Sequence, residues 1–353
     1  MSINDLTSGV GEWLRGTGPM SDVVISSRIR LARNLRDYPF LSKAGTDNQK
    51  EIFRVLVDAI GGAGLDTNAF FVDMEEVDEL DRQVLVERHL VSREHAEGEG
   101  SRGVTISMSE TRALMINEED HLRMQVLRSG LELEPLWDEI NDIDDKLSEQ
   151  VEFAFDPRLG YLTACPTNIG TGLRVSVMLH LPALKMTGEI EKVLRAAREL
   201  RLAVRGLYGE GTEAIGDFYQ VSNQVTLGHS EEEIIDRFAN QIIPQIVEYE
   251  KAARDALCTQ RAAQLDDKVW RAFGILGNAR AMASDETLFF LSHVRMGVSM
   301  GRLNEVDIGT VNELFLKIQP AHLQKMRGGQ LSGEERSIAR ADYLRKRLHG
   351  HDN

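Results

Sequence analysis

The chain has 353 residues, enough for two domains or for one large domain with an appendage. Lys and Arg number 41 against 56 Asp and Glu, a net charge of −15, which argues against nucleic acid or an anionic membrane as the main partner but leaves room for a local basic pocket. Apolar residues at 42% and charged residues at 27% are ordinary for a soluble globular protein, and no apolar run approaches the ~18–20 residues of a membrane span.

The first residues, MSINDLTSGVGEW, lack the basic-then-apolar pattern of a signal peptide. Two cysteines, Cys165 and Cys258, make neither a disulfide scaffold nor a Cys-based zinc site, and the histidines show no ligand spacing. These features predict a cytoplasmic, reduced protein without a structural metal. Arg outnumbers Lys by 31 to 10. The planar fork of Arg suits phosphate and carboxylate, and a GC-rich genome gives the same bias.

Strand patterns dominate the first two thirds of the chain. Val23–Arg30 is β-rich, and Gln49–Ile60 follows as a helix with apolar Ile52, Val55, Leu56 and Val57. Val104–Met108 and Ala113–Ile116 flank a hairpin turn at Glu110-Thr111-Arg112. Val151–Phe155 and Tyr161–Ala164 flank Asp156-Pro157-Arg158-Leu159-Gly160, a turn with Pro early and Gly late. Arg174–Leu181 and Phe218–Leu227 read as further strands, and Glu189–Arg205 between them carries a helical apolar stripe from Ile190 to Val204. Short turns between neighbouring strands predict antiparallel pairing. Ser230 and Glu233 form a capping box that opens a long helix. From about residue 253 the pattern is wholly helical, with a second capping box, Ser332 to Glu335, opening Glu334–Leu348. A boundary is placed near 253.

The sequence has no GxxxxGK[ST] loop, no HRD or DFG set, and no GxGxxG after a strand. Four other segments stand out. Ser26-Ser27-Arg28-Ile29-Arg30 puts two guanidiniums on one strand face, which invites a polyphosphate or is simply solvated. Asn117-Glu118-Glu119-Asp120-His121-Leu122-Arg123 is an acidic run with the composition of a surface loop. Cys165-Pro166-Thr167-Asn168-Ile169-Gly170-Thr171-Gly172-Leu173-Arg174 has small residues that let backbone amides approach an anion. Arg205-Gly206-Leu207-Tyr208-Gly209-Glu210-Gly211 is glycine-rich and carries both charge signs, as a substrate lid or a plain loop would.

In this order the four segments resemble the phosphagen (guanidino) kinase family, and Leu85–Ser92 with Arg205–Gly211 resembles its bacterial protein-arginine kinase branch. The resemblance covers nearly the whole chain. It implies an α+β fold: a mostly antiparallel sheet flanked by helices, the glutamine-synthetase-like phosphagen kinase catalytic domain, with an all-helical C-terminal domain. The expected organisation is an N-terminal segment 1–21, a catalytic domain 22–252 and a helical domain 253–353 that makes a homodimer. The helical domain that precedes the first motif in small-guanidine kinases is missing here, which leaves the acceptor pocket open enough for an arginine on a protein.

The implied reaction is ATP plus a guanidinium giving ADP plus a phosphoguanidinium, with Mg²⁺ and with no protein metal ligand assigned. The implied ATP site is Ser26, Ser27, Arg28, Ile29, Arg30, His89, Arg123, Arg174, Val175, Ser176, Val177, Met178, Arg205, Gly206, Leu207, Tyr208, Gly209 and Glu210. The implied catalytic group is Glu119, Glu210, Cys165, Arg174 and Arg205. Glu119 and Glu210 match the family's substrate carboxylates, with Glu210 favoured as the base and Asp120 as an alternative neighbour. Cys165 matches the family's reactive cysteine, and a small buried apolar role is its alternative.

Arg336-Ser337-Ile338-Ala339-Arg340-Ala341 resembles a phosphoarginine-binding regulatory motif, with Ser337 where that motif has Asp. A basic solvated helix is the other reading. The resemblance further implies protein substrates with exposed arginines, a zinc-binding activator protein, a heat-shock repressor as substrate, and delivery to an unfoldase–protease. A small-molecule guanidino kinase and a non-catalytic nucleotide- or phosphoarginine-binding adaptor are the rival readings.

Overall fold

The computed structural model describes residues 3–7, 9–65, 68–206 and 215–349. Its strands are β1 (Val24–Arg33), β2 (Phe70–Asp73), β3 (Gly103–Ile106), β4 (Arg112–Ile116), β5 (Leu122–Ser129), β6 (Phe155–Asp156), β7 (Gly160–Tyr161), β8 (Leu173–His180), β9 (Leu202–Gly206) and β10 (Phe218–Asn223). Eight of them form one sheet in the order β2-β3-β4-β5-β1-β8-β10-β9, antiparallel at every pairing, while β6 and β7 make a separate small hairpin.

Around the sheet lie α1 (Ile3–Leu6), α2 (Thr46–Gly62), α3 (Glu79–Glu87), α4 (Arg93–Glu97), α5 (Leu133–Ser148), α6 (Pro182–Thr187), α7 (Ile190–Glu199), α8 (Glu231–Asp236) and α9 (Ile243–Gln260). The chain then continues through α10 (Ala262–Asn278), α11 (Ser284–Ser299), α12 (Ile308–Lys317), α13 (Pro320–Arg327) and α14 (Gly333–His349). Among the described residues no strand follows β10, as the sequence pattern predicts. The boundary expected near 253 falls inside α9. No described helix is long and apolar enough to cross a membrane.

The strand period explains the two faces of the sheet. On β1, Ile29 and Leu31 are fully buried and sit opposite Val126 and Met124 of β5 and Val175 and Leu173 of β8. Ser26, Arg28 and Arg30 point the other way. The apolar face is covered by α5, whose Leu136, Ile140, Ile143 and Leu147 recur at helical spacing and are buried. Burying each such side chain contributes roughly 1.5–3 kcal/mol.

One buried ion pair ties three elements together. Arg33 at the end of β1 donates from Nη2 to Asp144 Oδ2 of α5 at 2.6 Å, and from Nη1 to Thr171 O at 2.9 Å. Its guanidinium lies 3.5 Å from the Tyr161 ring centroid. Gly172 lies against the same strand with φ +67, where a Cβ would meet Ala32 O at 2.6 Å. Only glycine fits both the backbone conformation and that approach.

Two elements differ from the sequence reading. The helix expected over Glu189–Arg205 ends at Glu199, Arg201 turns left-handed at φ 55, and Leu202–Gly206 becomes the edge strand β9 paired with β10. Leu200 and Val204 continue the helical spacing, but tertiary pairing overrides it. The hairpin expected from Val151 to Ala164 keeps its turn, with Gly160 at φ 80, but only two residues pair on each side. The helix opened by Ser230 is capped as expected, then passes through a π-turn at Arg237–Ile242 before α9. Pro244 supplies no N–H there, which accounts for the local change of hydrogen bonding.

Removing one partner of a buried pair leaves the other charge uncompensated. Asp144→Ala is expected to lower the unfolding free energy by about 3–5 kcal/mol, read by urea denaturation.

Candidate active site

The polar face of the sheet carries a crowd of arginines. Arg30 lies directly opposite Arg174, Arg28 is two residues along β1, and Arg123 sits opposite Ala32 on β5. Arg205 comes from β9, opposite Gln220 of β10. Cross-strand partners share a face, so five guanidiniums project from the same side.

Neutral groups support them. Arg28 Nη2 donates to Gln220 Oε1 at 2.8 Å, and Arg174 Nη2 donates to Ser222 Oγ at 3.2 Å. Arg30 Nε is buried with no hydrogen-bond partner. Burial, and then the charges of Arg174, Arg123 and Arg205, lower the Arg28 pKa to about 10. Burial, followed by Arg28, Arg123 and Arg174, pushes Arg30 well below the usual arginine value. Arginine keeps its proton at neutral pH. These shifts therefore mark the cost of burying guanidiniums and, after that, of setting them beside one another.

The acidic run sits at the β4–β5 turn. Glu118 Oε1 accepts from Arg123 Nη1 and from Ser92 Oγ, both at 2.6 Å, and its Oε2 accepts the Glu119 N–H at 2.8 Å. Glu119 reaches Arg123 Nη2 at 3.2 Å and is half exposed. Burial raises its pKa, Arg123 lowers it, and Asp120 and Glu118 raise it again, with a net shift upward.

Asp120 faces the other way. Its fully buried carboxylate accepts from Asn34 Nδ2 at 2.7 Å and from the Ala164 N–H at 2.6 Å. It anchors the chain that leads to Cys165, which removes it from contact with an acceptor. Cys165 begins the short turn Pro166–Asn168, with Sγ 3.0 Å from Thr167 Oγ1.

A cavity of about 1000 Å³ is lined by Arg30, Arg123, Arg174 and Arg205 together with Glu118, Glu119 and Cys165. It shares Arg30, Ser92, Glu94 and Arg205 with a second cavity of about 900 Å³, which runs past Arg28, His89 and Gln220 to Arg336. The two form one trough. His89 is held neutral there, with a pKa of about 3, by burial and then by Arg28 and Arg93.

Not every residue implied by the sequence reaches this trough. Ser26, Ser176 and Met178 lie on the arginine face, lining a pocket beside Arg28 and His89. Ser27, Ile29, Val175 and Val177 have buried side chains on the opposite face, where Ser27 Oγ donates to Gly130 O at 2.7 Å. Gly206 lines the trough, whereas Leu207, Tyr208, Gly209 and Glu210 lie outside the described residues.

Several backbone amides of the Cys165–Gly172 segment are already engaged within the fold. Asn168, Gly170 and Gly172 donate to Cys165 O, Tyr161 O and Asn168 O. Of the regulatory group, Arg336 lines the trough and donates to Leu331 O at 2.7 Å. Ser337 Oγ donates to Gly333 O at 3.0 Å. Arg340 is buried and donates to Ile318 O at 3.0 Å and Met282 O at 2.8 Å, and Ala341 is fully buried. The two arginines donate to different backbone carbonyls. Glu118, Ser92, Gln220 and Ser222 are the supporting residues that sequence reasoning passed over. Only the first two fall within segments that stood out.

A family model for the ATP:guanido phosphotransferase C-terminal catalytic domain matches residues 51–253. A model for the protein-arginine kinase McsB C-terminal domain matches residues 262–353. The protein-arginine kinase of Halothermothrix orenii is 46% identical over 349 residues, covering 99% of each chain. That of Desulforamulus reducens is 46% identical over 357 residues, covering 100% of each. The crystal structure of lombricine kinase matches with a TM-score of 0.58 at 26% identity, over 71% of this chain and 75% of that one. The duplicated taurocyamine kinase of Schistosoma mansoni shares the fold with a TM-score of 0.60 at 24% identity, over 70% of this chain and 35% of that one.

An antiparallel sheet with an arginine cage beside a carboxylate pair defines a phosphotransferase of the guanidino class. The chain belongs to the ATP:guanido phosphotransferase family, in its bacterial protein-arginine kinase branch.

The crowding makes a testable demand. Replacing Arg30 by Gln removes one like charge from the cage. It is expected to raise the thermal midpoint of the ligand-free protein by a few degrees, equivalent to about 1 kcal/mol, while weakening ATP binding at least tenfold. Differential scanning fluorimetry and titration calorimetry check the two halves.

Proposed function

We propose that this chain is a protein-arginine kinase: it transfers the γ-phosphoryl group of ATP to arginine side chains of proteins. The observation that carries the reading is the shared lining of one cavity, where the guanidiniums of Arg30, Arg123, Arg174 and Arg205, suited to phosphate, meet Glu119, suited to a guanidinium acceptor. Phosphoryl transfer needs in-line positioning and neutralisation of the phosphate oxygens more than covalent help. Arg28, Arg30, Arg123, Arg174 and Arg205 supply both without a P-loop.

Mg²⁺ is read as a companion of the nucleotide, with no protein ligand assigned to it. When bound, it would supply neutralisation of charge on the phosphate oxygens beside the arginines. Arg30 Nε, buried without a partner, has an unmet need that a phosphate oxygen satisfies.

The acceptor guanidinium is a cation with no free lone pair on its nitrogens. Carboxylates align its plane by paired hydrogen bonds and take up its proton as the N–P bond forms and the bond from γ-phosphorus to the bridging oxygen breaks, releasing ADP. Glu119 is the described carboxylate placed to align it. Glu210, outside the described residues, is our proposed base. Cys165 lines the same cavity and is read as the group that holds the guanidinium from another side.

The trough has volume to spare for an arginine side chain beside a nucleotide. Protein substrates with exposed arginines are therefore read as the acceptors, with a heat-shock repressor among them, a zinc-binding activator protein and an unfoldase–protease as functional partners, and the cytoplasm as the setting. The domain division at about 253 and a homodimer made by the helical region belong to the same reading. The exposed aromatic residues Trp270 and Phe289 on α10 and α11 support that last point. Phosphoarginine regulation through Arg336 and Arg340 requires α14 to release Arg340 from its carbonyl partners.

The test is mass spectrometry at neutral pH, since the P–N bond is acid-labile, on an arginine-rich protein incubated with enzyme, Mg²⁺ and ATP. Phosphoarginine on the protein is expected, reduced about 10²–10⁴-fold by Glu210→Ala. ATP consumption with free guanidines and no modified protein would overturn the reading in favour of a small-molecule kinase.

Glu119 gives a pH prediction. Only its ionised form pairs with the acceptor, and its pKa is raised above the ordinary carboxylate value. The acid limb of kcat/KM is therefore expected at a higher pH than for an ordinary glutamate, with activity lost as pH falls through it. Glu119→Gln should lower activity and flatten that limb, read from pH–rate profiles.

A further inference from the structure

Three consecutive residues at the end of α3 point in different directions. Glu87 reaches α13 at the edge of the trough, Arg88 is buried between Glu110 and α13, and His89 faces the trough. His89 adopts φ +59 at the position after the helix cap, where glycine is usual, with the two closing bonds His89 N–H to Val86 O at 2.9 Å and Leu90 N–H to Leu85 O at 3.0 Å. A left-handed histidine costs roughly 1–2 kcal/mol and persists only where its surroundings impose it.

Those surroundings are specific. The Trp13 ring meets His89 edge-on at 4.4 Å, and Gln125 Nε2 donates to His89 O at 2.7 Å. Arg88 is fully buried and donates from Nε and Nη2 to Glu110 at 2.7 and 2.6 Å. Arg88 Nη1 lies 3.2 Å from His322 Nε2 on α13. Arginine has only donors, so Nε2 accepts and the ring proton is on Nδ1. That Nδ1–H donates to Glu87 Oε2 at 2.7 Å. The Glu87 carboxylate also accepts the N–H groups of Ala321 at 2.7 Å and His322 at 3.0 Å, capping α13 from outside that helix. The result is a closed ring of Glu87, His322 and Arg88 that fastens α13 to the residue before His89.

We propose that His322 and Glu87 are positioning residues of the nucleotide site: through Arg88 they hold the strained His89 turn against the trough, so the C-terminal helical region sets affinity for ATP. The proposal rests on reading the trough as the ATP site. It predicts an effect on nucleotide binding and none on the guanidinium acceptor, which is held by Glu119 at the other end of the trough.

The test is ATP affinity by calorimetry on the full chain, with KM for ATP, KM for a protein acceptor and thermal unfolding measured alongside. His322→Phe is expected to weaken ATP about tenfold, the value of a hydrogen bond to a charged group, while KM for the acceptor stays within twofold. His322→Gln, whose amide can donate to Glu87 and accept from Arg88, should recover most of the loss. Unchanged ATP affinity in folded His322→Phe, or equal losses in the Phe and Gln variants, would overturn the proposal. If the Phe variant does not fold, His322→Asn, whose shorter amide cannot reach both Glu87 and Arg88, is read by the same criterion. Wild-type protein that bound no ATP would instead defeat the functional reading, and this inference with it.

Discussion

Everything about this site follows from one electrostatic constraint: five arginines share one face of one sheet, and two of them are directly opposite each other on adjacent strands. Like charges opposite one another destabilise a sheet. The fold tolerates them because the other face is a dense apolar core under α5, and because neutral oxygens from Gln220 and Ser222 satisfy some of the donors. Glu118 is the buried counter-charge in direct contact with the cage, and it engages Arg123 at the rim. The centre of the cage, at Arg28 and Arg30, still calls for an anion. Charge already in place before a ligand arrives is the arrangement that catalysis by preorganised charge requires.

The helical region beyond the sheet is part of the same machine. Arg295 on α11 is fully buried and donates to Asn312, to the carbonyls of Ser21 and Asp22, and to His180 at the end of β8. Glu250 on α9 accepts the amides of Ala183 and Leu184 at the start of α6. These contacts place helical elements against the start of β1 and the end of β8, and the Glu87–His322–Arg88 ring meets the β3–β4 turn at Glu110. A ligand that shifts α13 or α14 therefore has a short physical route to the arginine-lined trough.

The sequence carried a large part of this, for identifiable reasons. Alternation within Ser26–Arg30 was enough to put Arg28 and Arg30 on one face, because strand periodicity is strict, while the wider arginine cage was implied by the family resemblance. The family, the antiparallel α+β fold and the ATP-dependent chemistry followed from motif order. What was not legible depended on contacts distant in sequence. Asp120 and Glu119 are adjacent in a row of acids, yet one is buried under Asn34 and Ala164 and the other opens to the cavity. Arg336 and Arg340 share a helix, yet backbone carbonyls from two other segments hold only Arg340. Strand β9 was hidden by a helical spacing that continues through it, and only its pairing with β10 decides the matter.

The central claim is that this cage binds by its charge, through phosphate rather than base. The most direct measurement is calorimetric titration of ATP and of adenosine, each at low and at high salt. The account predicts that ATP binds at least a hundredfold more tightly than adenosine and that raising salt erodes the difference, since screened guanidiniums lose their hold on phosphate. Comparable affinities for ATP and adenosine, insensitive to salt, would contradict it.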